Sequence, residues 1–324
     1  LTRREPMLQT PLCSLLGVSV PIIQGPLGGP WPPSVRLAAA VSEAGALGSL
    51  PTALRSAEQV REDIAALRDL TGRPYAVNHT MKPFVDDVFA EIVRASPPVV
   101  SFALGCRPDL IARAHDAGSL FVQQVHTAAQ AARAVEAGAD VIVAQGGEAG
   151  GFGGACSTMV LVPQVVDAVA PVPVVAAGGI GDGRGLAAAL ALGAQGVNVG
   201  TRFIASEEAE LGEGYKKAVL AAGSHQTLRA PFVNELVPPA SEGAYATVPR
   251  VVRSSFVDEW HGHEDDVRRM KAELVERIRT AVADGTVHEL LVITGEVAER
   301  STTSCPRPRS FAAWRRVRKT CCGR

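Results

Sequence analysis

The stretch Val172–Thr201 reads VPVVAAGGIGDGRGLAAALALGAQGVNVGT. A short β-branched run ends in the glycine pair Gly178-Gly179. Gly181-Asp182-Gly183 then opens an alanine-rich segment, which stops at Leu192-Gly193 and is followed at once by a second apolar run ending at Gly200. Short apolar runs without alternation suit strands covered on both faces. Glycine just past an alanine-rich segment suits the left-handed position at which helices stop. Strand, helix and strand at this spacing make a parallel crossover unit.

The same pattern recurs as SEAGALGSL around Gly45, HDAGSLFVQQV around Gly118 and VEAGADVIVAQ around Gly138. Helix starts are legible too, since Ser56-x-x-Gln59 and Thr127-x-x-Gln130 have capping-box spacing. Counting apolar runs gives eight candidate strands: Pro21–Gly25, Ala46–Leu50, Tyr75–His79, Val99–Leu104, Leu120–His126, Val141–Gly146, Val172–Ala177 and Gly196–Gly200. Each interval holds enough chain for one helix, which implies a parallel sheet. Glycine-rich segments end the first, sixth, seventh and eighth runs, and closure is what brings first and eighth together. The expectation is an α/β fold, a closed (β/α)8 TIM barrel, in preference to an open doubly wound sheet.

Beyond Thr201 the pattern changes. Residues 206–222 and 263–284 read as helices, and 225–262, carrying Pro, Gly and Ser without periodicity, reads as a lid near the barrel mouth. The expected organisation is a barrel core over 7–205, starting sensibly at Met7, with C-terminal helices and lid over 206–300 completing the same domain. Ser301–Arg324 is expected to be an aberrant tail. Suitable codons for Ser301–Trp314, read one base back, give IHDVLPAAEIVRRL, a string with helical spacing, so a frameshift near residue 300 is expected.

At 47% hydrophobic and 20% charged residues, the 324-residue chain is neither disordered nor fibrous. Its 32 Lys and Arg against 33 Asp and Glu give no field to attract nucleic acid or an anionic membrane. No apolar run approaches the ~20 residues of a bilayer span, and no signal-peptide plan is visible. Six scattered cysteines are no disulfide framework. The expectation is a cytoplasmic enzyme acting on a small molecule.

In barrels, loops after the last two strands commonly hold a phosphate through backbone N–H groups. Gly178, Gly179 and Gly200 would let the backbone approach such an anion. Ala144–Gly154, AQGGEAGGFGG, holds too many glycines for helix or strand interior and reads as a loop against a ligand, with Glu148 its ionisable group. Gln24, Asn78 and Gln145, at strand ends, offer amides that donate and accept toward a flat heterocycle. A ring of amides beside a phosphate site makes FMN the economical cofactor. His261-x-His263 lacks a third fixed ligand, so no metal is expected.

Together these segments resemble the nitronate monooxygenase family (formerly 2-nitropropane dioxygenase) of FMN-dependent TIM barrels. The marks are TPLCSLLGVSVPIIQGPLGG, YAVNH, ADVIVAQGGEAGG, VPVVAAGGIGDGRGLAAALALGAQGVNVGTRF and VDEWHG, covering roughly Met7 to Thr294. The resemblance implies that Gln24, Gly25, Pro26, Leu27, Asn78 and Gln145 meet the isoalloxazine and ribityl chain. It implies further that Gly150, Gly178, Gly179 and the turn Asn198, Val199, Gly200, Thr201 hold ribityl and phosphate. Family members also end in a helix much like IHDVLPAAEIVRRL. The family's motif usually reads Ala-Gly-Gly-His, its histidine serving as base at the flavin. Here Phe152 takes that place and cannot accept a proton. His126 and His79, at the ends of the fifth and third strands, are the candidates to stand in, His126 preferred for the polar Gln123-Gln124 beside it.

Three readings follow. The leading one is oxidation of alkyl nitronates with O2, because a nitronate is already deprotonated and needs the base less than a neutral nitroalkane does. The second is a reductase passing hydride from NAD(P)H to a quinone or an enoyl thioester. The third is a flavin-binding barrel with weak catalysis.

Overall fold

The computed structural model of the chain describes residues 8–28 and 34–298. The expected start at Met7 and the tail from Ser301 lie outside the described residues. In chain order the elements are α1 (Pro11–Leu16), β1 (Ile22–Gln24), α2 (Val35–Glu43), β2 (Gly48–Pro51), α3 (Ala57–Leu70), β3 (Tyr75–Thr80), α4 (Asp86–Ala95), β4 (Val99–Ala103), α5 (Pro108–Asp116), β5 (Leu120–Val125), α6 (Ala128–Glu136), β6 (Val141–Gln145) and β7 (Gly151–Gly153). They continue as α7 (Thr158–Val169), β8 (Val174–Ala177), α8 (Gly183–Ala191), β9 (Gly196–Val199), α9 (Thr201–Ile204), α10 (Glu213–Ala221), β10 (Thr227–Arg229), α11 (Val233–Leu236), β11 (Val248–Val252), α12 (Ser255–Trp260), α13 (Glu264–Arg269) and α14 (Lys271–Ala283).

All eight expected runs are strands of one parallel sheet in the order β1-β9-β8-β6-β5-β4-β3-β2. The sheet closes on itself. Ile23 bridges Leu47 in parallel, the Gln24 N–H donates to the Leu47 carbonyl at 2.8 Å, and the Leu47 N–H donates to the Ile22 carbonyl at 3.0 Å. Because β1 has three residues, the Gln24 side chain extends the seam. Its Nε2 donates to the Ser49 carbonyl at 3.1 Å and its Oε1 accepts from the Ser49 N–H at 3.2 Å. One amide thus acts as a further rung of the ladder.

The lower lumen is filled with side chains. Ile23, Leu47, Ala76, Val122, Val143 and Val175 point inward and rest on Leu12, Cys13 and Leu16 of α1, which plugs the N-terminal end. The other strand faces pack against the helices in a separate buried layer that includes Val77, Phe102, Phe121 and Ile142. The expected caps form with one variation. Ser56 and Gln59 bond reciprocally, whereas Gln130 reaches past its cap Thr127 and accepts from the His126 N–H at 2.8 Å. No helix among the described residues is long and apolar enough to cross a membrane.

The structure differs from the sequence reading in three places. Helix α10 begins at Glu213, not at 206, because Gly212 has extended ψ and cannot continue a helix. The stretch expected as one helix over 263–284 divides at Met270 into α13 and α14. The glycine-rich loop contains a strand, since β7 pairs with β11, and β11 with β10, in an antiparallel three-stranded sheet. Backbone pairing alone makes that strand, and Gly151 and Gly153 ask for no side-chain packing around it. The cover has a core of its own, with Phe232, Phe256 and Val257 buried in it. It is stitched to the rim by the Ser241 N–H donating to the Met81 carbonyl and the Tyr245 N–H to the Leu104 carbonyl, both at 2.8 Å.

Removing the seam amide leaves the Ser49 N–H and carbonyl without partners at a buried position. Gln24→Ala should therefore cost about 2–3 kcal/mol of unfolding free energy, read as a shift in the urea midpoint with an unchanged slope.

Candidate active site

Side chains on a barrel strand alternate between lumen and helix layer. On β3 this points Ala76 and Asn78 inward, on β5 Val122 and Gln124, and on β6 Val143 and Gln145. The apolar lower layer therefore gives way, at the C-terminal mouth, to a polar one. A small cavity of about 20 Å³ is lined there by Gln24, Pro26, Ser49, Asn78, Ser101, Gln124 and Asn198. Asn78 Nδ2 donates to Ser101 Oγ at 3.1 Å. Ser49 Oγ is buried without a hydrogen-bond partner among the described residues. Gln24 lines the cavity as expected, but its amide is committed to the seam, so only its face is left for a ligand.

The expected glycine turns lie beside this layer. Gly178 and Gly179 have φ of 102° and 71°, the left-handed region that favours glycine. A side chain at Gly179 would meet nothing nearer than Glu148 Cβ at 3.6 Å, and one at Gly200 nothing nearer than Leu27 at 3.7 Å, so both turns border open space. Gly25 is held between β1 and β9, its N–H donating to the Val199 carbonyl at 2.8 Å and its Cα facing Asn198 and Gly200. The cradle, the orphaned Ser49 hydroxyl and the amide layer fit a flat heterocycle carrying a phosphate.

Several participants escaped the sequence reading because they come from far along the chain. The Gly295 N–H donates to Thr201 Oγ1 at 2.9 Å, and Gly150 packs so closely on Thr294 and Gly295 that a Cβ there would collide with their backbone. The Glu296 N–H donates to the Glu148 carbonyl at 2.9 Å, and its carboxylate pairs with Arg250 of β11 at 2.9 Å. Arg250 Nε in turn donates to the Gly147 carbonyl at 3.0 Å. The Glu148 carboxylate is committed to a helix start. It caps α7, accepting from the Thr158 N–H and Oγ1, each at 2.9 Å.

The two candidate histidines part company. His79 corrects the expectation, because alternation on β3 turns it away from the lumen, with Asn78 inward beside it. It is 2% exposed, and its ring lies among Phe84, Phe89 and Phe102. Its Nδ1 lies 2.8 Å from Thr52 Oγ1, and its Nε2 accepts from the Val85 N–H at 3.3 Å. Both nitrogens are used, and burial pushes the imidazole down to about 4. It is a structural residue.

His126 follows Gln124 by two residues, on the same side of β5 and nearer the rim. Gln145 Nε2 is directed at the Gly150 carbonyl, so its Oε1 is the acceptor for both Gln124 Nε2 at 3.0 Å and His126 Nε2 at 2.9 Å. His126 therefore carries its proton on Nε2 and a lone pair on Nδ1, which is buried without a partner among the described residues. Burial lowers its pKa, opposed by the bond to Gln145, and the positive charge of Arg229 lowers it further. The ring meets Tyr245 of the cover edge to face, with centroids 6.0 Å apart.

Phe152 lies on β7, paired with Pro249. A Cβ on Gly154, the residue after β7, would press against His126, which puts this end of β7 beside the mouth, and Phe152 is partly buried against the barrel's core. The Lys82 ammonium stands 4.6 Å from the Phe152 ring centroid.

Residues 9–307 match the family model described as nitronate monooxygenase. The chain is 38% identical over 224 residues to a Mycobacterium tuberculosis enzyme named (3aS,4S,5R,7aS)-5-hydroxy-7a-methyl-1-oxo-octahydro-1H-indene-4-carboxyl-CoA dehydrogenase, covering 68% of this chain and 62% of that one. The chain thus spans about three-fifths of the length of that relative. Among solved structures, FabK from Thermotoga maritima superposes with a TM-score of 0.84 at 33% identity, covering 95% of each chain. Nitroalkane oxidase from Streptomyces ansochromogenes superposes with a TM-score of 0.80 at 28% identity, covering 94% of this chain and 96% of that one.

The His79 environment sets a pH dependence of stability. An unfolded imidazole takes up its proton near 6.5, the folded one only near 4, so between these values the unfolded chain binds more protons. Stability contributed by the neutral ring is complete above pH 6.5 and is lost as pH falls toward 4, by about 3 kcal/mol. His79→Phe, which keeps the ring packing and cannot titrate, should show a flatter profile over that window in urea denaturation.

Proposed function

Since the chain belongs to the nitronate monooxygenase family, we propose that it is an FMN-dependent oxidoreductase that oxidises alkyl nitronates with O2 at this barrel mouth. The observation that carries the proposal is the polar layer of Ser49, Asn78, Ser101, Gln124 and Asn198, bordered by the open glycine turns at Gly179 and Gly200. FMN, when bound, supplies the redox centre that accepts electrons from the substrate and passes them to O2. The chain binds and orients it. Asn78, Gln124, Gln145 and Asn198 would meet the ring edge, while the backbone of Gly178, Gly179, Gly200 and Thr201 would hold the phosphate through N–H groups.

The remaining groups control protons and water. Gln145 fixes the tautomer of His126, so any proton the site accepts goes to Nδ1. Desolvation keeps that imidazole neutral near pH 7 and able to act as a base. The cover sheet, tied down by Arg250 and Tyr245, closes the mouth above it.

A second reading has a specific support. The similarity to a carboxyl-CoA dehydrogenase and the presence of Phe152 in place of histidine favour an acyl thioester as substrate, with NAD(P)H as a further candidate partner.

The test is an anaerobic titration of the flavin-loaded protein followed by visible absorbance. Propyl nitronate should reduce the bound flavin, and 1-nitropropane should react at least about 100-fold more slowly, the usual contribution of a well-placed base. His126→Ala should abolish that residual nitroalkane reaction and leave nitronate turnover within about tenfold. Flavin indifferent to nitronate but reduced by NAD(P)H, or in the presence of an acyl-CoA, would transfer the assignment to the second reading. Flavin that no donor reduces would leave a binding barrel.

A further inference from the structure

One charged side chain at the mouth has no part in the scheme above. Lys82 lies in the turn after β3, and its ammonium is held over Phe152 and bonded to Asn234 Oδ1 of α11 at 2.8 Å. Asn234 is itself fixed, since its Nδ2 donates to the Thr247 carbonyl at 2.8 Å, which directs its oxygen at Lys82. Glu235, the acidic side chain whose charge acts on Lys82, is engaged elsewhere, accepting from Arg268 at 3.1 Å. Burial lowers the lysine's pKa against the weak pull of Glu235. The ammonium is thus half-buried, steadied by a neutral amide and an aromatic face, and no carboxylate among the described residues pairs with it.

Such an arrangement is costly unless something answers the charge. A cation–π contact and one hydrogen bond to a neutral oxygen recover part of the cost. Both partners approach from known directions, with Phe152 on one side and Asn234 on another, and lysine has three donors. At least one N–H is left for a ligand. Gly154, the residue after β7, lies so close to His126 that a Cβ on it would stand 2.7 Å from the His126 Cβ, so Phe152, two residues earlier in the chain, brings Lys82 to the same end of the barrel as the candidate base.

We infer that Lys82 is the anion-recognition residue of the substrate site, receiving a small planar oxyanion whose alkyl group rests on the Phe152 ring. The inference rests on the nitronate reading, and it gives the replacement of histidine by phenylalanine a consequence. Where a base would extract a proton from a neutral substrate, this site selects a substrate that arrives already ionised. The charge is met by Lys82 and the apolar part by Phe152. A lysine is a compact point charge on a flexible stem, suited to an oxyanion that must be held while O2 serves as oxidant, its C–N bond breaking so that the carbon leaves as a neutral carbonyl product and the charge leaves on nitrite.

The test uses the flavin-loaded full chain and an inert carboxylate of the same shape, propionate, titrated by calorimetry and by perturbation of the flavin visible spectrum. Lys82→Met, close in length and uncharged, should weaken propionate binding about tenfold, with Lys82→Arg recovering most of it. The KM for propyl nitronate should rise by a similar factor, with kcat changed less than about threefold. Flavin content and melting temperature serve as controls on folding. Propionate binding as tight in Lys82→Met as in the wild type, or absent from both, overturns the inference. Failure of nitronate to reduce the wild-type flavin sinks the oxidation reading alone, since the propionate titration still decides whether Lys82 recognises an anion.

Discussion

A closed ring of eight strands must satisfy the backbone of its shortest member on both sides. Here that member is β1, three residues long, which bonds fully to β9 and only partly toward β2. The Gln24 amide completes the second side. The consequences reach well past the seam. With β1 drawn between β2 and β9, Gly25 lies against Asn198 and Gly200, and the polar mouth layer becomes continuous from Ser49 around to Asn198. Were the seam open, the amide layer and the glycine turns would face different solvent instead of one cavity.

The second dependency runs between the barrel and its cover. Arg250 joins three separate stretches, bonding Gly147 in the glycine-rich loop and Thr227 on β10 and pairing with Glu296 near the end of the described chain. Its side chain is well buried, so these partners share a desolvated charge, and loss of one would leave the others to carry it. Glu148 works in the same direction from the barrel side, with its carboxylate on α7 and its carbonyl on Glu296. The glycine-rich loop, poor in side chains of its own, is held in place by its neighbours.

Most of the barrel was legible because glycine marks helix ends and apolar runs mark strands, and these signals are local. The mouth was legible in part. Asn78, Gln145, Gly178, Gly179 and Gly200 gather where strand-end reasoning put them, yet His79 was misjudged although the sequence held the corrective. If Asn78 points into the lumen, its neighbour must point out. Gln24 was recognised as a mouth residue and not as a seam, because the atom opposite it depends on register between strands that no local pattern reveals. Strand β7 hid inside glycines whose pairing partner lies about a hundred residues downstream. Lys82, Asn234 and Thr294–Glu296 carry no motif, and only folding brings them together.

The candidate phosphate cradle is assembled from Gly150, Gly178, Gly200, Thr201 and, last in the chain, Gly295. Its floor is therefore available early in synthesis, but its final wall is among the last parts of the described chain to leave the ribosome. Capture of a phosphate-bearing ligand in the finished geometry accordingly waits for the segment around Gly295. A nascent barrel already closed by its eighth strand would still have that side of the pocket open to water.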